Sequence, residues 1–363
     1  MICSLIKLCW YKISGKKLIV INEASGLGDY LWVRSYFRII KERSTDNRII
    51  FLGTRRWADF AQTLDKNKVD IFFFFQNPYH PRYWELCLLK LFTYDVFINF
   101  RKDKPLWEKL NNSIRANKIY PSKPPINENT VGRGFYYPAH NDSIINQFLT
   151  LPPDFKHTLP VIHPASTKDI PHQPYILLAL GGLTDGQFSL QQLIVLCRAL
   201  HECFQKPILL LGTTLSYRLL YPYLKGSFLL SAITTFFQTI CSYLKKPISL
   251  FGITIDKPLY KQLAQHFSPN ILLNGCNKFP TCALPYLVQQ ADFVVSPNTS
   301  VWHMAILLQK AGIIYILDDR YWHPLPNEDK LVYCVEKTSC LSKISCEKIE
   351  TSVQNLKKIL DVL

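Results

Sequence analysis

No Cys-x-x-Cys pair occurs among the 11 cysteines, so zinc-ribbon and dithiol redox motifs have no support. Cys334, Cys340 and Cys346 recur every six residues. Structural zinc sites usually place paired ligands about two to four residues apart, so this is a weak metal pattern. The odd cysteine total argues against a complete disulfide framework, and the expectation is mostly buried, reduced thiols in a cytosolic protein. The start, MICSLIKLCWYK, is too short and too interrupted for a signal peptide. Phe228–Leu244 is the longest candidate membrane segment, but its Ser, Thr and Gln residues make it a poor lipid-embedded helix. It reads as a buried helix, with an interfacial helix between Lys225 and Lys245–Lys246 as the lesser alternative. A dinucleotide fingerprint would need a third glycine at position 31, which is Leu31. No recognised RNA- or DNA-binding module is present, so nucleic acid is not an expected partner.

Acidic residues are scarce. There are 42 Lys and Arg against 27 Asp and Glu, a formal charge of +15. Residues 1–165 hold 24 basic and 14 acidic side chains, so most of the excess lies in the first half. Ordinary solvated surface accounts for some of it, and a phosphate-rich partner such as a charged glycolipid or an anionic membrane face would account for more. A length of 363 residues with 48% apolar content suits two domains, each with its own core.

Short apolar runs alternate with helical periodicity. Lys17–Asn22, Arg48–Gly53, Val69–Phe75 and Tyr94–Phe100 read as buried strands of a parallel sheet. Between the first two, Tyr30–Arg43 reads as one helix with Val33, Phe37 and Ile40 inward and Arg34, Arg38 and Lys41 outward. Ten prolines crowd residues 121–174, which therefore read as loops and an interdomain linker. Beyond them Tyr175–Leu180, Pro207–Gly212, Pro247–Gly252, Asn270–Leu273, Ala291–Ser296 and Gly312–Leu317 repeat the strand pattern. Ser345–Leu363 is an amphipathic helix with Ile349, Val353, Leu356 and Leu360 on one face. The expected division is 1–168, 169–345 and a closing helix 346–363.

Ligands in open α/β sheets bind at the carboxyl ends of strands, where turns expose backbone amides and helix N-termini. Three such turns stand out. Ser25-Gly26-Leu27-Gly28-Asp29 follows the first strand. Asp29 there can accept a proton from a hydroxyl nucleophile or can merely cap its helix, and the spacing does not choose. Gly181-Gly182-Leu183-Thr184 can cradle a diphosphate with backbone amides. Ser296-Pro297-Asn298-Thr299-Ser300-Val301-Trp302-His303 runs from a strand end into a helix, where hydroxyls and first-turn amides suit a phosphate. His303 shares a face with Thr299 and can bond a phosphate oxygen or a ribose hydroxyl.

SGLGD after the first strand, the glycine turn opening the second half, Asn274-Gly275 and SPNTSVWHMAILLQKAGIIYI together resemble glycosyltransferase family 9, the lipopolysaccharide heptosyltransferases. The last stretch is similar to that family's S-x-D-T/S-G-x-x-H-x-A-x-A signature, and the resemblance runs in order along nearly the whole chain. It implies a GT-B fold: two doubly wound Rossmann-like α/β domains facing a cleft, with a C-terminal helix packing back. It implies an inverting transferase that uses a nucleotide-sugar donor and needs no metal or other cofactor. The implied acceptor is a lipopolysaccharide core or related surface glycan, and the implied location is the cytoplasm, with peripheral contact at the inner face of the membrane. The implied catalytic base is Asp29. The donor-binding set is Gly181, Gly182, Thr184, Gly252, Asp256, Ser296, Asn298, Thr299, Ser300 and His303. On the acceptor side stand Gly28, Arg55, Arg56, Arg101 and Lys102.

Asn298 stands where the family has an aspartate, Ser300 where it has a glycine, and the lysine after the glycine turn is missing, with Gln187 the nearest polar substitute. Residues 213–246 read as extra helical material. These departures leave the donor sugar open between heptose and another hexose-like sugar. They also admit a second reading, a weakened or non-catalytic GT-B protein that binds glycan or nucleotide.

Overall fold

Leu18–Asn22 are all buried, and a strand apolar on both faces needs cover on both sides, so this segment belongs at the centre of a parallel sheet. The computed structural model places it there. It describes residues 2–23, 26–75, 83–101, 104–122, 137–162, 170–182, 186–212, 249–250, 253–254, 259–276, 278–316, 331–335 and 341–362. The stretch 213–246, with Phe228–Leu244 inside it, lies outside them, as do Thr184, Gly252, Asp256, Lys102 and Cys340.

The first sheet holds β1 (Lys17–Asn22), β2 (Asn47–Thr54), β3 (Ile71–Phe75), β4 (Thr93–Asn99) and β5 (Arg115–Tyr120) in the order β3-β2-β1-β4-β5, every pair parallel. The first four follow the apolar runs. RANKIY of β5 gives little sequence signal because its residues are exposed or half-buried at the sheet edge. A helix expected from no periodicity argument, α1 (Ile2–Ile13), precedes β1.

The helix expected over Tyr30–Arg43 is two, α2 (Leu27–Val33) and α3 (Ser35–Arg43), meeting at Arg34. Arg34 is not on the outer face as its spacing predicts. It is 1% exposed, and its guanidinium grips the equally buried Asp65 at the end of α4 (Ala58–Asp65) through Nε at 2.9 Å and a second nitrogen at 2.8 Å. Tyr30 also donates its hydroxyl to Asp65, and the third Arg34 nitrogen donates to the Thr158 carbonyl at 2.7 Å. A forked pair satisfied on every side offsets the desolvation that sends most arginines to the surface. Burial first, then the Asp65 carboxylate, pushes the Tyr30 hydroxyl well above its ordinary pKa.

Two more helices, α5 (Tyr83–Lys90) and α6 (Lys104–Asn111), complete the crossovers of this sheet, and α7 (Tyr137–Phe148) follows it. Part of the proline-rich span is then docked as extended chain. Thr158 N–H donates to Ser35 Oγ at 3.2 Å, and Phe155 stacks on Tyr36 at 5.6 Å between centroids.

The second sheet is built from β6 (Ile176–Ala179), β9 (Ile208–Leu211), β12 (Leu272–Asn274), β13 (Phe293–Pro297), β14 (Gly312–Ile316) and β15 (Leu331–Val335). Their order is β12-β9-β6-β13-β14-β15, again all parallel. Gly181–Gly182 (β7) and Gly186–Gln187 (β8) form a short hairpin beside it. Of the segment expected as a strand over Pro247–Gly252, only Ser249–Leu250 (β10) lies among the described residues, where it pairs antiparallel with Ile253–Thr254 (β11). Helices α8 (Leu190–Phe204), α9 (Leu259–Leu263), α10 (Leu284–Gln290), α11 (Ser300–Leu307) and α12 (Cys346–Val362) cover this half.

The closing helix buries Ile349, Val353 and Leu356 against α8 and β15. Gln192 of α8 fastens the approach to it, donating from Nε2 to the carbonyls of Leu341 (2.9 Å) and Ile344 (2.6 Å). An apolar cluster runs from Ile19 and Ile98 in the first sheet to Val294 in the second and Val301 on α11, so the two halves share a core. Of the eight cysteines whose side chains are described, all free, Cys197, Cys276 and Cys334 are buried, four are half-buried and Cys9 is exposed. Cys203 and Cys282, half-buried, pack against the edges of the two cores. Among the described residues no helix is long and apolar enough to cross a membrane.

Candidate functional site

The order of the first sheet reverses at β1, between β2 and β4, which makes the carboxyl ends of β1 and β4 the expected ligand crevice. Asn22 and Asn99 are in register there, and both are fully buried. Asn22 donates through Nδ2 to Asn99 Oδ1 at 2.8 Å, and Asn99 passes the chain on to Asn111 Oδ1 at 2.8 Å. A polar ladder of this kind holds the strand ends rigid beneath the turn that follows β1.

That turn delivers α2. Its first residues are Leu27, Gly28 and Asp29, with Gly26 as the N-cap in extended backbone. Glycine has no side chain with which to cap, so Asp29 reaches back and its Oδ2 accepts the Gly26 N–H at 3.0 Å. The capping role left open by the sequence is therefore filled, and the same bond orients a half-buried carboxylate at the mouth of the crevice.

Gly28 abuts the other half of the protein. A β-carbon built on it would stand 2.3 Å from Cδ2 and 2.8 Å from Nε2 of His303 on α11. Only glycine lets α2 and α11 come this close. One turn further along α2, Trp32 Nε1 donates to His303 Nδ1 at 3.0 Å. An indole N–H can only donate, so Nδ1 is the acceptor and the neutral ring carries its proton on Nε2, the nitrogen turned toward Gly28. Behind Trp32, His157 Nδ1 bonds the Trp32 carbonyl at 3.1 Å, and the two rings meet edge to face. His157 in turn sits by Asp142, which accepts the Tyr36 hydroxyl at 2.7 Å.

On the α11 side, Thr299 is the N-cap residue, yet its hydroxyl does not cap the helix. It bonds the buried Ser296 hydroxyl at 3.0 Å instead. The first-turn amides of α11 therefore have no partner from their N-cap side chain and keep the positive field that draws an anion. Asn298 is exposed beside them, and Ser300, half-exposed, opens the helix.

Gly181 and Gly182 form the stem of a hairpin paired with Gln187 and Gly186, not the turn itself, whose tip falls on residues outside those described. Arg55 is exposed in the 3-10 turn after β2, and Arg56 follows it in the same turn. Arg101, expected on the acceptor side, is a buried cation. It is 4% exposed, and its backbone N–H donates to Asn99 Oδ1 at 3.2 Å. Among the described residues no group of three or more His, Cys, Asp or Glu could hold a metal. The sequence reading missed Trp32, His157, Asn22 and Asn99. Only Trp32 carried a signal, its four-residue spacing from Gly28, while His157 lies in proline-rich chain with no periodicity.

Two parallel α/β sheets, each wound by helices and joined where α2 of the first meets α11 of the second, define a GT-B architecture. No protein-family model matches the sequence, and no curated protein sequence does. Solved structures do. The chain is similar to E. coli heptosyltransferase WaaC with ADP, at TM-score 0.60 and 11% identity over 95% of this chain and 100% of that one. It is similar to the glycosyl transferase family 9 structure from Veillonella parvula DSM 2008, at TM-score 0.60 and 9% identity over 95% and 98%. E. coli ADP-heptose lps heptosyltransferase II gives TM-score 0.54 and 12% identity over 95% and 99%. At such identities the likeness is one of fold, and it is the fold that the resemblance of the motifs implied.

Proposed function

We propose that this protein is an inverting glycosyltransferase that moves a sugar, heptose or another hexose-like sugar, from a nucleoside diphosphate donor to a hydroxyl of a lipopolysaccharide core or related surface glycan. The observation that carries the reading is the approach of Gly28 to His303, which sets the Asp29 turn of one half against the N-terminal helix site of the other.

Inverting transfer needs two things at once: a hydroxyl losing its proton as it attacks, and a diphosphate gaining charge as it leaves. In this reading Asp29 takes the proton, held in position by the Gly26 N–H. The diphosphate rests on the first turn of α11, where Thr299, Ser300 and the amides donate, and the Gly181–Gly182 hairpin borders it. His303 stands at the seam with Nε2–H as a donor, its tautomer fixed by Trp32. Helix field and hydrogen bonds then do the work of balancing the leaving charge, with no metal or cofactor called for. Arg55 and Arg56, after β2, are acceptor-side cations.

Asp29→Asn is the discriminating variant, because an asparagine oxygen still caps Gly26 but cannot act as a base. Transfer with ADP-heptose and a panel of other nucleotide sugars should fall about 10²- to 10⁴-fold while folding holds. Transfer at the wild-type rate would remove Asp29 from the mechanism. Donor binding without transfer by the wild-type chain would favour the second reading, a non-catalytic binding protein, for which the capping bond of Asp29 and the exposed Asn298 speak.

A further inference from the structure

The helix ahead of the first strand turns an uncharged face to solvent. Ile6, Trp10 and Ile13 are 64%, 66% and 81% exposed, and their spacing of four and three residues makes them one stripe along α1. Exposed Cys9 lies beside it. The opposite face is the one that packs, with Leu8 buried among Leu18, Val20, Ile50 and Ile71. Lys12 Nζ donates to the Thr93 carbonyl at 2.9 Å, which brings the turn ahead of β4, with Leu91 at 68% exposure, to the end of α1. Four of the six large apolar side chains exposed among the described residues therefore belong to one patch, which is not the single scatter of an ordinary surface.

Cations frame this patch. α1 contains no acidic residue. Lys7 and Lys12 leave it on its flanks, and their ammonium groups donate to the neutral carbonyls of Asp70 (3.4 Å) and Thr93 (2.9 Å). Lys90 is exposed next to Leu91. The acids on adjoining turns are engaged: Asp46 with Lys16, and Asp70 with Lys41 and Arg48. A second copy of the chain seated on this face would set lysine against lysine. Four side chains also supply only part of the roughly 800 Å² per partner that a stable dimer buries. An aromatic amphipathic residue within an apolar stripe edged by lysines is instead the composition of an interfacial helix.

We propose that α1, with Leu91, seats the first sheet on an anionic lipid bilayer, the apolar stripe entering the headgroup layer and the flanking lysines meeting lipid phosphates. The short turn Ser14–Lys16 folds α1 back along β1, so the start of the helix lies toward the strand ends that carry Asp29. The proposal stands apart from the sugar-transfer reading.

The full chain, sedimented with vesicles of phosphatidylcholine alone or mixed with phosphatidylglycerol, tests it. Wild type should bind the anionic vesicles about tenfold or more tightly than the neutral ones, and added salt should weaken the binding. Trp10→Glu/Ile13→Glu, both at exposed sites, should lower binding at least about tenfold with thermal unfolding unchanged. Should that variant misfold, Trp10→Ser supplies the readout, through loss of tryptophan quenching by brominated lipid. Equal binding by wild type and variant overturns the proposal. So does a wild-type dimer in light scattering that the double variant dissolves while neither protein binds vesicles, which would assign the stripe to self-association.

Discussion

Trp32 and His303 lie 271 residues apart in the chain, and the indole N–H of one meets Nδ1 of the other at 3.0 Å. The bond joins a helix of the first sheet to a helix of the second, and it decides which imidazole nitrogen carries the proton. Trp32→Phe keeps an aromatic ring against His303 but removes the donor. The expected outcome is an unchanged circular dichroism spectrum and a roughly tenfold loss in kcat/KM, about what one hydrogen bond is worth. Its pH profile should also move, since His303 becomes free to change tautomer or charge. A merely structural role for Trp32 would leave that profile in place.

Gly28 marks a close approach of the two halves. In Gly28→Ala the added carbon cannot coexist with an imidazole carbon 2.3 Å away, so α2 and α11 must separate. Both sheets should still fold. Transfer should drop about a hundredfold, because misplacement of reacting groups by an ångström costs that much. Small-angle scattering read beside the kinetics should show a larger radius of gyration for the variant.

The Arg34–Asp65 pair offers a stability test away from the crevice. Both side chains are essentially buried. Arg34→Met leaves the carboxylate without its forked partner, and urea unfolding should show a loss of about 3 kcal/mol. A loss below about 1 kcal/mol would mean that Tyr30 and Lys68, which also contact Asp65, suffice to hold it.

Burial lifts several acidic protons out of reach in the native state. The Cys276 thiol is pushed up from 9.0 to about 12, and Cys197, Tyr94, Tyr175 and Tyr315 are displaced upward by the same cause. The folded chain thus holds these protons where the unfolded chain would release them. Stability from this source is complete below the unfolded thiol pKa and declines as pH rises from about 9 toward 12. Unfolding midpoints between pH 7 and 11 check the sign. Iodoacetamide at pH 8 should label exposed Cys9 while sparing native Cys197 and Cys276.

Repetitive features were legible without coordinates. KLIVIN could only be an interior strand, and the alternation of such runs with helices specified parallel sheets. Edge strands escaped. RANKIY has no apolar face because one side of it has no neighbour to bury. Arg34 was misassigned because helical spacing predicts a face and knows nothing of Asp65, 31 residues on.

Residue order alone made readable the two-sheet architecture, the glycine turn that ends in Asp29, and the hydroxyl-rich strand end that opens the helix of His303. Local periodicity and turn chemistry are properties of neighbouring residues, so a linear reading reaches them. The tertiary structure decided which turns face one another, which histidine nitrogen carries the proton, and which cations are buried. Each of these depends on contacts between distant segments, and the free energy of such contacts is settled only when the whole chain has packed.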